Sequence, residues 1–263
     1  MTTSFFTIRR DGGEEWLRPT DACRGPWDED ACHAGPPTGM LVRAAERLVP
    51  HQQFVRITVD LIRPVPHAGF RIAGEVVRGG RTVSTTLLTM IDADDRPVLT
   101  ARTLHMAPQP VADLPTLDEP APRLDDAEPG RFGFEEAHHD QPFITDFVET
   151  RYPPGHGPAG GHTIGWMRTV PLLDDEPTSG FASICTLADC GNAMSRNADP
   201  GPIAFLNTDL TVTLHREPVG EWFGTDVRSY WQPNGIGISD AQLLDVQGPV
   251  GRAVQSVIIQ RTG

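Results

Sequence analysis

The 263-residue chain is poor in positive charge. It has 35 acidic residues against 22 basic ones, so its formal net charge at pH 7 is -13, and none of the basic residues is lysine. Nucleic acids and anionic membrane surfaces are bound through stripes of positive charge. The composition therefore disfavours both as partners. It does not exclude a small phosphorylated ligand, because a few arginines can bind a phosphate locally.

Long apolar runs are also missing. No uninterrupted run approaches the roughly 20 residues that a membrane-spanning helix requires. The first residues, MTTSFFTIRRDGG, do not show the charged start and apolar run that are typical of a signal peptide. We therefore expect no membrane span, no secretory signal and a cytoplasmic location.

The sequence offers neither a metal site nor an obvious covalent nucleophile. Its four cysteines, Cys23, Cys32, Cys185 and Cys190, show no CxxC spacing, and no histidine stands at a zinc-like distance from them. We expect free thiols in a reducing compartment, no metal and no cofactor. A G-x-S-x-G nucleophile elbow is absent as well.

The clearest periodic pattern is the stretch IAFLNTDLTVTLH at positions 203–215. Apolar and polar residues alternate there, which predicts a strand with two unlike faces. The face predicted to be apolar carries Leu206, Thr208, Leu210, Val212 and Leu214. The polar face carries Asn207, Asp209, Thr211 and Thr213. A counterpart, FVRITVDLIRPV, lies at positions 54–65, and three further strand-like runs follow each stretch.

The two halves of the chain repeat one order of elements. The first-half prediction is a hairpin at 4–10 and 14–19, a helix at 38–49, and strands at 54–65, 70–78, 81–92 and 97–106. The second-half prediction is strands at 142–152 and 163–170, a helix at 178–194, and strands at 203–215, 222–231, 235–246 and 251–261. Pairs such as Leu61 with Leu214 and Gly80 with Gly235 keep an offset of about 150 residues, which indicates an internal duplication.

Between the halves, residues 108–140 are interrupted by prolines and rich in acidic residues. Such a composition predicts a linker that lies along the surface rather than folding on its own. The expected domains are therefore 1–107, this linker, and 141–263, the last carrying the main site. Each half supplies one helix that a curved antiparallel sheet can wrap, so the predicted fold class is α+β. Two such units can join their sheet edges.

Several short motifs carry a resemblance to a known family. They are the helix start Gly35-Pro36-Pro37, the stretch RGGRTVSTTLLTMIDADDRPVLTA at 78–101, and, in the second half, WMR at 166–168, LAD at 187–189, LHR at 214–216 and AVQ at 253–255. In order and spacing the chain resembles the TesB-like double-hotdog acyl-CoA thioesterases over nearly its whole length. The resemblance implies a tandem hotdog, an acyl-CoA substrate and a role in fatty acid metabolism.

The resemblance also implies a mechanism, in which a directly attacking water hydrolyses the thioester to a free acid and a thiol. In this family a helix carboxylate, a strand hydroxyl and a glutamine hold that water. The carboxylate matches Asp189 and the glutamine matches Gln255. The threonine position falls on Asn207, or on Thr208 if the register is one residue off. An asparagine amide both donates and accepts hydrogen bonds, as a hydroxyl does.

Oxyanion donors are expected at helix starts, where backbone N–H groups and the helix dipole favour negative charge. The candidates are Gly180 and Phe181 in the second half and residues 35–39, including Gly39, in the first. Arg78 and Arg81, with Arg216 and Arg228, are candidates for contacts to coenzyme A phosphates. His33, just before the first helix, is either catalytic or a loop residue with a local hydrogen bond.

Two other functions remain open at this stage. An enoyl-thioester hydratase or dehydratase would need a histidine beside an acidic residue, and neither predicted helix carries a convincing histidine. A catalytically silent acyl-thioester or lipid-binding protein would keep the fold without turnover.

The two halves are not equivalent. By the offset of the repeat, the first-half positions that match Asp189 and Gln255 hold Glu46 and Thr103. We therefore expect one competent site. A fused pair of units is also compatible with a further homodimer or higher homo-oligomer.

Overall fold

A computed structural model describes residues 4–26, 28–117, 119–132 and 142–262. The first-half elements are β1 (Phe6–Asp11), β2 (Glu14–Pro19), β3 (Ala31–Cys32), α1 (Gly35–Leu48), β4 (Gln53–Leu61), β5 (Val65–Pro66), β6 (Phe70–Arg78), β7 (Val83–Ile91) and β8 (Pro97–Met106). A short 3₁₀ turn lies at Asp21–Cys23. The helix begins three residues earlier than predicted, because Gly35, Pro36 and Pro37 form its first turn, a position that suits proline.

The second half repeats this plan with added elements. All of its helices and strands are β9 (Glu128–Gly130), α2 (Pro142–Asp146), β10 (Val148–Tyr152), β11 (Thr163–Thr169), α3 (Gly180–Ala188), α4 (Gly191–Met194), β12 (Ile203–Asn207), β13 (Asp209–Leu214), β14 (Phe223–Trp231), β15 (Ile236–Asp245) and β16 (Gly248–Arg261) within the described residues. A 3₁₀ turn at Leu124–Asp126 precedes β9.

Within the part of the chain that the structure describes, one antiparallel sheet of 14 strands runs through both halves. Its order is β1-β2-β6-β7-β8-β4-β13-β16-β15-β14-β11-β10-β9, and β12 also pairs with β16. The halves join where β4 pairs with β13, from Asp60 opposite Asp209 to Arg56 opposite Thr213. The expected double hotdog with a continuous sheet is therefore confirmed.

The two long helices pack against each other inside the curved sheet. Residues Met40, Leu41, Val42 and Ala45 of α1 are fully buried in the main core. Gly39 lies directly against the Thr186 side chain of α3, so that even a methyl group at this position would collide with it. This close approach brings the start of α1 next to the end of α3. Among the described residues, no helix is both long and apolar enough to cross a membrane.

Part of the predicted linker packs against the second half of the chain. Its Ala127 is buried against Trp166 and Leu244, and β9 pairs with β10 at the edge of the sheet. Most of its other described residues are exposed, and residues 133–140 lie outside the described residues. The division into domains at 107 and 140 stays a prediction.

The strand predicted at 142–152 and the helix predicted at 178–194 differ from the structure. Residues 142–146 form α2 rather than the start of a strand, since Pro142 opens the turn and Phe147 N–H donates to Pro142 O at 3.1 Å. The helix predicted at 178–194 is interrupted after Ala188 and resumes at Gly191 as α4.

The strand predicted at 203–215 is broken at Thr208. Asn207 is opposite Val257, whereas Thr211 is opposite Val254, so β12 and β13 differ by one residue in their register with β16. Such a bulge exchanges the two faces of a strand. Leu206, predicted on the apolar face, is accordingly 44% exposed, and Phe205 is fully buried instead.

Candidate active site

Asp189 occupies the break between α3 and α4, where the start of α1 passes close by. It caps the C-terminus of α3, and its residue exposure is only 4%. Burying a carboxylate is costly unless hydrogen bonds satisfy its oxygens. Its surroundings meet that requirement through side chains from two other elements, β12 and β16.

Two amides donate to the same carboxylate oxygen. Asn207 Nδ2 lies 2.7 Å from Asp189 Oδ1, and Gln255 Nε2 lies 3.2 Å from it. Gln255 Nε2 also lies 3.2 Å from the Asp189 backbone oxygen, and its Oε1 accepts the Asn192 N–H at 3.0 Å. Gln255 is 1% exposed and its amide is fully engaged, whereas Asn207 is half-buried. Gln255 is thus the deeply buried partner of the carboxylate, and Asn207 is the more exposed one.

The bulge at Thr208 decides which strand residue reaches the carboxylate. It turns Asn207 toward Asp189, while Thr208 is exposed and its hydroxyl donates to Ser256 O at 3.4 Å. Of the two positions that the sequence left open, Asn207 is therefore the one brought to the site. Thr208 is not, because the extra residue in the strand directs it away.

A histidine from the first half completes the group. His33 Nδ1 lies 3.1 Å from Asp189 Oδ2, and its side chain is 12% exposed. Burial lowers the pKa of His33, while the Asp189 carboxylate acts in the opposite direction. The ring of Phe143 from α2 stacks on the imidazole, with centroids 4.3 Å apart and planes at 29°. In the sequence, the signal for this contact is limited to the position of His33, two residues before a helix that begins with Gly35.

The start of α1 offers few free donors. Gly35 N–H donates to His33 Nδ1 at 3.1 Å, Pro36 and Pro37 have no N–H, and Thr38 N–H donates to Ala34 O at 3.0 Å. Gly39 lies within α1, where it allows the close approach to α3. Of the first-half candidates for oxyanion binding, only Gly35 lies beside the Asp189 site with an amide outside the helical hydrogen bonds.

Gly180 and Phe181 lie at the opposite end of α3 from Asp189. Nine helical residues separate the two ends, which at 1.5 Å per residue is about 13 Å. Gly180 packs against the Pro218 backbone, and the ring of Phe181 lies 5.5 Å from that of Phe54. The structure therefore does not bring these two predicted donors to the carboxylate.

Arg78 and Arg81 are also remote from it. Both are exposed at the β6–β7 connection, near the end of α1 that is far from His33. Gln52, just after that helix, donates through Nε2 to Arg81 O at 3.3 Å. The helix has 14 residues, so about 20 Å of helix separates these arginines from the start of α1.

The corresponding region of the first half has a different polar group. Thr103 Oγ1 is 2.6 Å from Thr86 Oγ1 and 2.9 Å from His105 Nε2, all fully buried. Burial lowers the pKa of His105 to about 4. Glu46 instead accepts a hydrogen bond from Ser179 at 2.9 Å. Thr103 and Glu46 thus have separate partners, unlike Gln255 and Asp189.

The cysteines do not supply a nucleophile. All four are buried, and burial raises the pKa of the Cys185 and Cys190 thiols, with the Asp189 charge adding to the effect at Cys190. Thiols with a raised pKa stay protonated and react poorly. Among the described residues, no group of three or more His, Cys, Asp or Glu side chains is arranged to hold a metal ion.

Comparison with known proteins agrees with the fold. The chain matches the family profile described as the acyl-CoA thioesterase N-terminal domain over residues 23–106, and that of the C-terminal domain over residues 113–259. A search of curated protein sequences found no match.

Solved structures with a similar fold cover almost the whole chain. An acyl-CoA thioesterase II, TesB2, from Mycobacterium marinum is 13% identical over 98% of this chain and 97% of its own, with a TM-score of 0.70. A hot dog fold protein of unknown function from Alicyclobacillus acidocaldarius is 17% identical over 98% and 97%, with a TM-score of 0.72. The tesB protein of Mycobacterium avium subs paratuberculosis is 16% identical over 96% and 95%, with a TM-score of 0.65. The chain belongs to the acyl-CoA thioesterase family of hotdog proteins and is a thioester hydrolase.

Proposed function

We propose that the chain hydrolyses an acyl-CoA, or a related acyl thioester, by direct attack of a water held at Asp189. The observation that carries the proposal is the orientation of this carboxylate. Two amide donors hold Oδ1, while Oδ2 faces His33 beside the partly exposed Asn207. A buried carboxylate with one oxygen fixed and the other available can position a water and accept its proton.

Each predicted residue then has a distinct part. Asp189 orients and deprotonates the water. The second Nδ2 hydrogen of Asn207, not used in its 2.7 Å bond to Asp189, can donate to that water. Gln255 holds Asp189 rather than the water, since all of its amide hydrogens already have acceptors. The family resemblance instead implies that the glutamine contacts the water.

The test is thiol release from a panel of short, long and aromatic acyl-CoAs. We expect turnover of at least one member, and a fall of roughly a hundredfold or more in Asp189→Asn, the scale of losing a positioned base. Asp209→Asn is the matched control, because Asp209 accepts Ser256 N–H on the same strand region without contacting Asp189, and should keep nearly full activity. No turnover on any member, with acyl-CoA still bound by both forms, would favour the silent binding protein.

A second activity is supported by one observation. The hydratase alternative required a histidine beside an acidic residue, and His33 from the loop before α1 supplies it, 3.1 Å from Asp189. Water addition to a 2-enoyl-CoA would remove the enoyl conjugation without releasing thiol. Following enoyl absorbance and thiol release on the same substrate separates hydration from hydrolysis.

Association of two copies stays a proposal as well. Leu206, Ile236 and Ile258 are 44%, 62% and 44% exposed, and they are neighbours across β12, β16 and β15. An uncharged apolar face suits self-association in a chain whose net charge of -13 opposes it elsewhere. Light scattering of Ile236→Lys against the unmodified chain tests this homodimer.

Cytoplasmic location and a role in fatty acid metabolism are likewise proposals.

A further inference from the structure

His33 Nδ1 faces two partners that make opposite demands on it. It accepts the Gly35 N–H at 3.1 Å, and it lies 3.1 Å from Asp189 Oδ2. An imidazole nitrogen has one in-plane position, which holds either a lone pair or a hydrogen. A lone pair suits Gly35, and a hydrogen suits a carboxylate. The location of a single proton therefore decides which of the two bonds His33 makes.

The Gly35 amide matters because of the prolines that follow it. In the first turn of α1, Pro36 and Pro37 lack an N–H and Thr38 N–H is engaged with Ala34 O. The Gly35 N–H donates to His33 Nδ1, and protonation of that nitrogen would remove its lone pair. The Gly35 N–H would then be free to bind another acceptor. Backbone donors at a helix start are well placed to stabilise a developing oxyanion.

We propose that His33 takes up the proton that Asp189 removes from the attacking water, and that this transfer frees the Gly35 N–H for the oxygen of the thioester. The inference rests on the water attack proposed above. When Nδ1 accepts the Gly35 N–H, no proton lies between this nitrogen and Asp189 Oδ2, although the two atoms are 3.1 Å apart. Burial lowers the pKa of His33, and the Asp189 carboxylate opposes this by favouring a proton on the facing nitrogen.

The step balances without a further reactant. The water oxygen bonds to the carbonyl carbon, and one of its protons passes to Asp189 Oδ2 and then to His33 Nδ1. This leaves a carboxylate beside an imidazolium. When the carbon–sulfur bond breaks, the thiolate takes the same proton back through Asp189. The products are the free acid and the thiol, and both side chains return to their starting state.

Phe143 is a positioning residue in this arrangement. Its ring is fully buried and stacks on His33, and it also contacts Phe5, with ring centroids 5.7 Å apart. Stacking at 4.3 Å restrains the imidazole from turning its Nδ1 edge away from Asp189. The first half therefore contributes His33 and Gly35, and the second contributes Asp189 and Phe143, so the site is shared between the halves.

The decisive variant is His33→Asn. An asparagine amide can occupy the place of Nδ1 and hydrogen-bond to Asp189, but it cannot take up a proton. We expect kcat to fall by about a hundredfold or more, within the range for a lost acid–base group, with little change in KM. His67→Asn is the matched control, since His67 is also partly buried in the first half but its Nε2 pairs with Thr20 O at 3.0 Å.

A second measurement separates proton transfer from structural support. Added imidazole should restore part of the turnover of His33→Ala, and restore less when Phe143→Ala is combined with it. It should not restore Asp189→Asn. Near-wild-type kcat in His33→Asn, or no rescue of a folded His33→Ala, would overturn the role of His33. If Asp189→Asn is inactive in the same experiment, the proposed hydrolysis still stands, whereas full activity of Asp189→Asn would overturn both.

Discussion

Replacing Gln255 with methionine tests whether this buried amide supports the site. Methionine has a similar length but cannot make the three hydrogen bonds of Gln255. The Asn192 N–H would be left buried without an acceptor, which costs about 1–3 kcal/mol, and the Asp189 carboxylate would lose a donor worth about 1.5–3 kcal/mol. We therefore expect a loss of about 3–5 kcal/mol in the free energy of unfolding.

For a chain of this size such a loss lowers the melting temperature by roughly 10 °C. The assay is thermal and urea unfolding followed by circular dichroism, together with thiol release on the best acyl-CoA. The matched control is Gln242→Met on β15, whose amide is half-exposed and donates to Glu119 at 3.3 Å. It should change stability by less than about 0.5 kcal/mol. Equal effects of the two substitutions would refute the reasoning.

Three further predictions concern single positions. Gly39→Ala should destabilise the chain by about 1–3 kcal/mol in urea unfolding, although alanine favours helices, because the added methyl group meets Thr186; a stabilised variant would contradict the close helix packing. His105 has a folded pKa of about 4 against about 6.5 when unfolded, so stability is full above pH 6.5 and falls by up to about 3 kcal/mol as the pH drops to 4. His105→Phe should flatten that part of the pH dependence, and an unchanged slope would contradict the burial argument. Asn207→Ala should lower kcat/KM by about tenfold, whereas Thr208→Ala should leave it nearly unchanged; the reverse order would indicate that the strand lacks the bulge.

Local pattern was sufficient for much of the architecture. Alternating and helical periodicity located most elements, and strands 70–78 and 97–106 have the predicted bounds. The reason is that side-chain period depends on the backbone conformation of one segment alone. The repeated order of elements, with a resemblance to a known family, was enough to predict the tandem hotdog. The resemblance also pointed to Asp189 and Gln255.

The sequence by itself thus determined the elements, their duplication and the residue types available for chemistry. The tertiary structure alone decided how these residues meet. A bulge at Thr208, which local alternation cannot show because it depends on pairing with β16, selected Asn207 for the carboxylate. Packing of α1 against α3 brought His33 to Asp189 from the other half of the chain. Contacts between such distant segments depend on how whole elements pack, and no spacing within either segment encodes them.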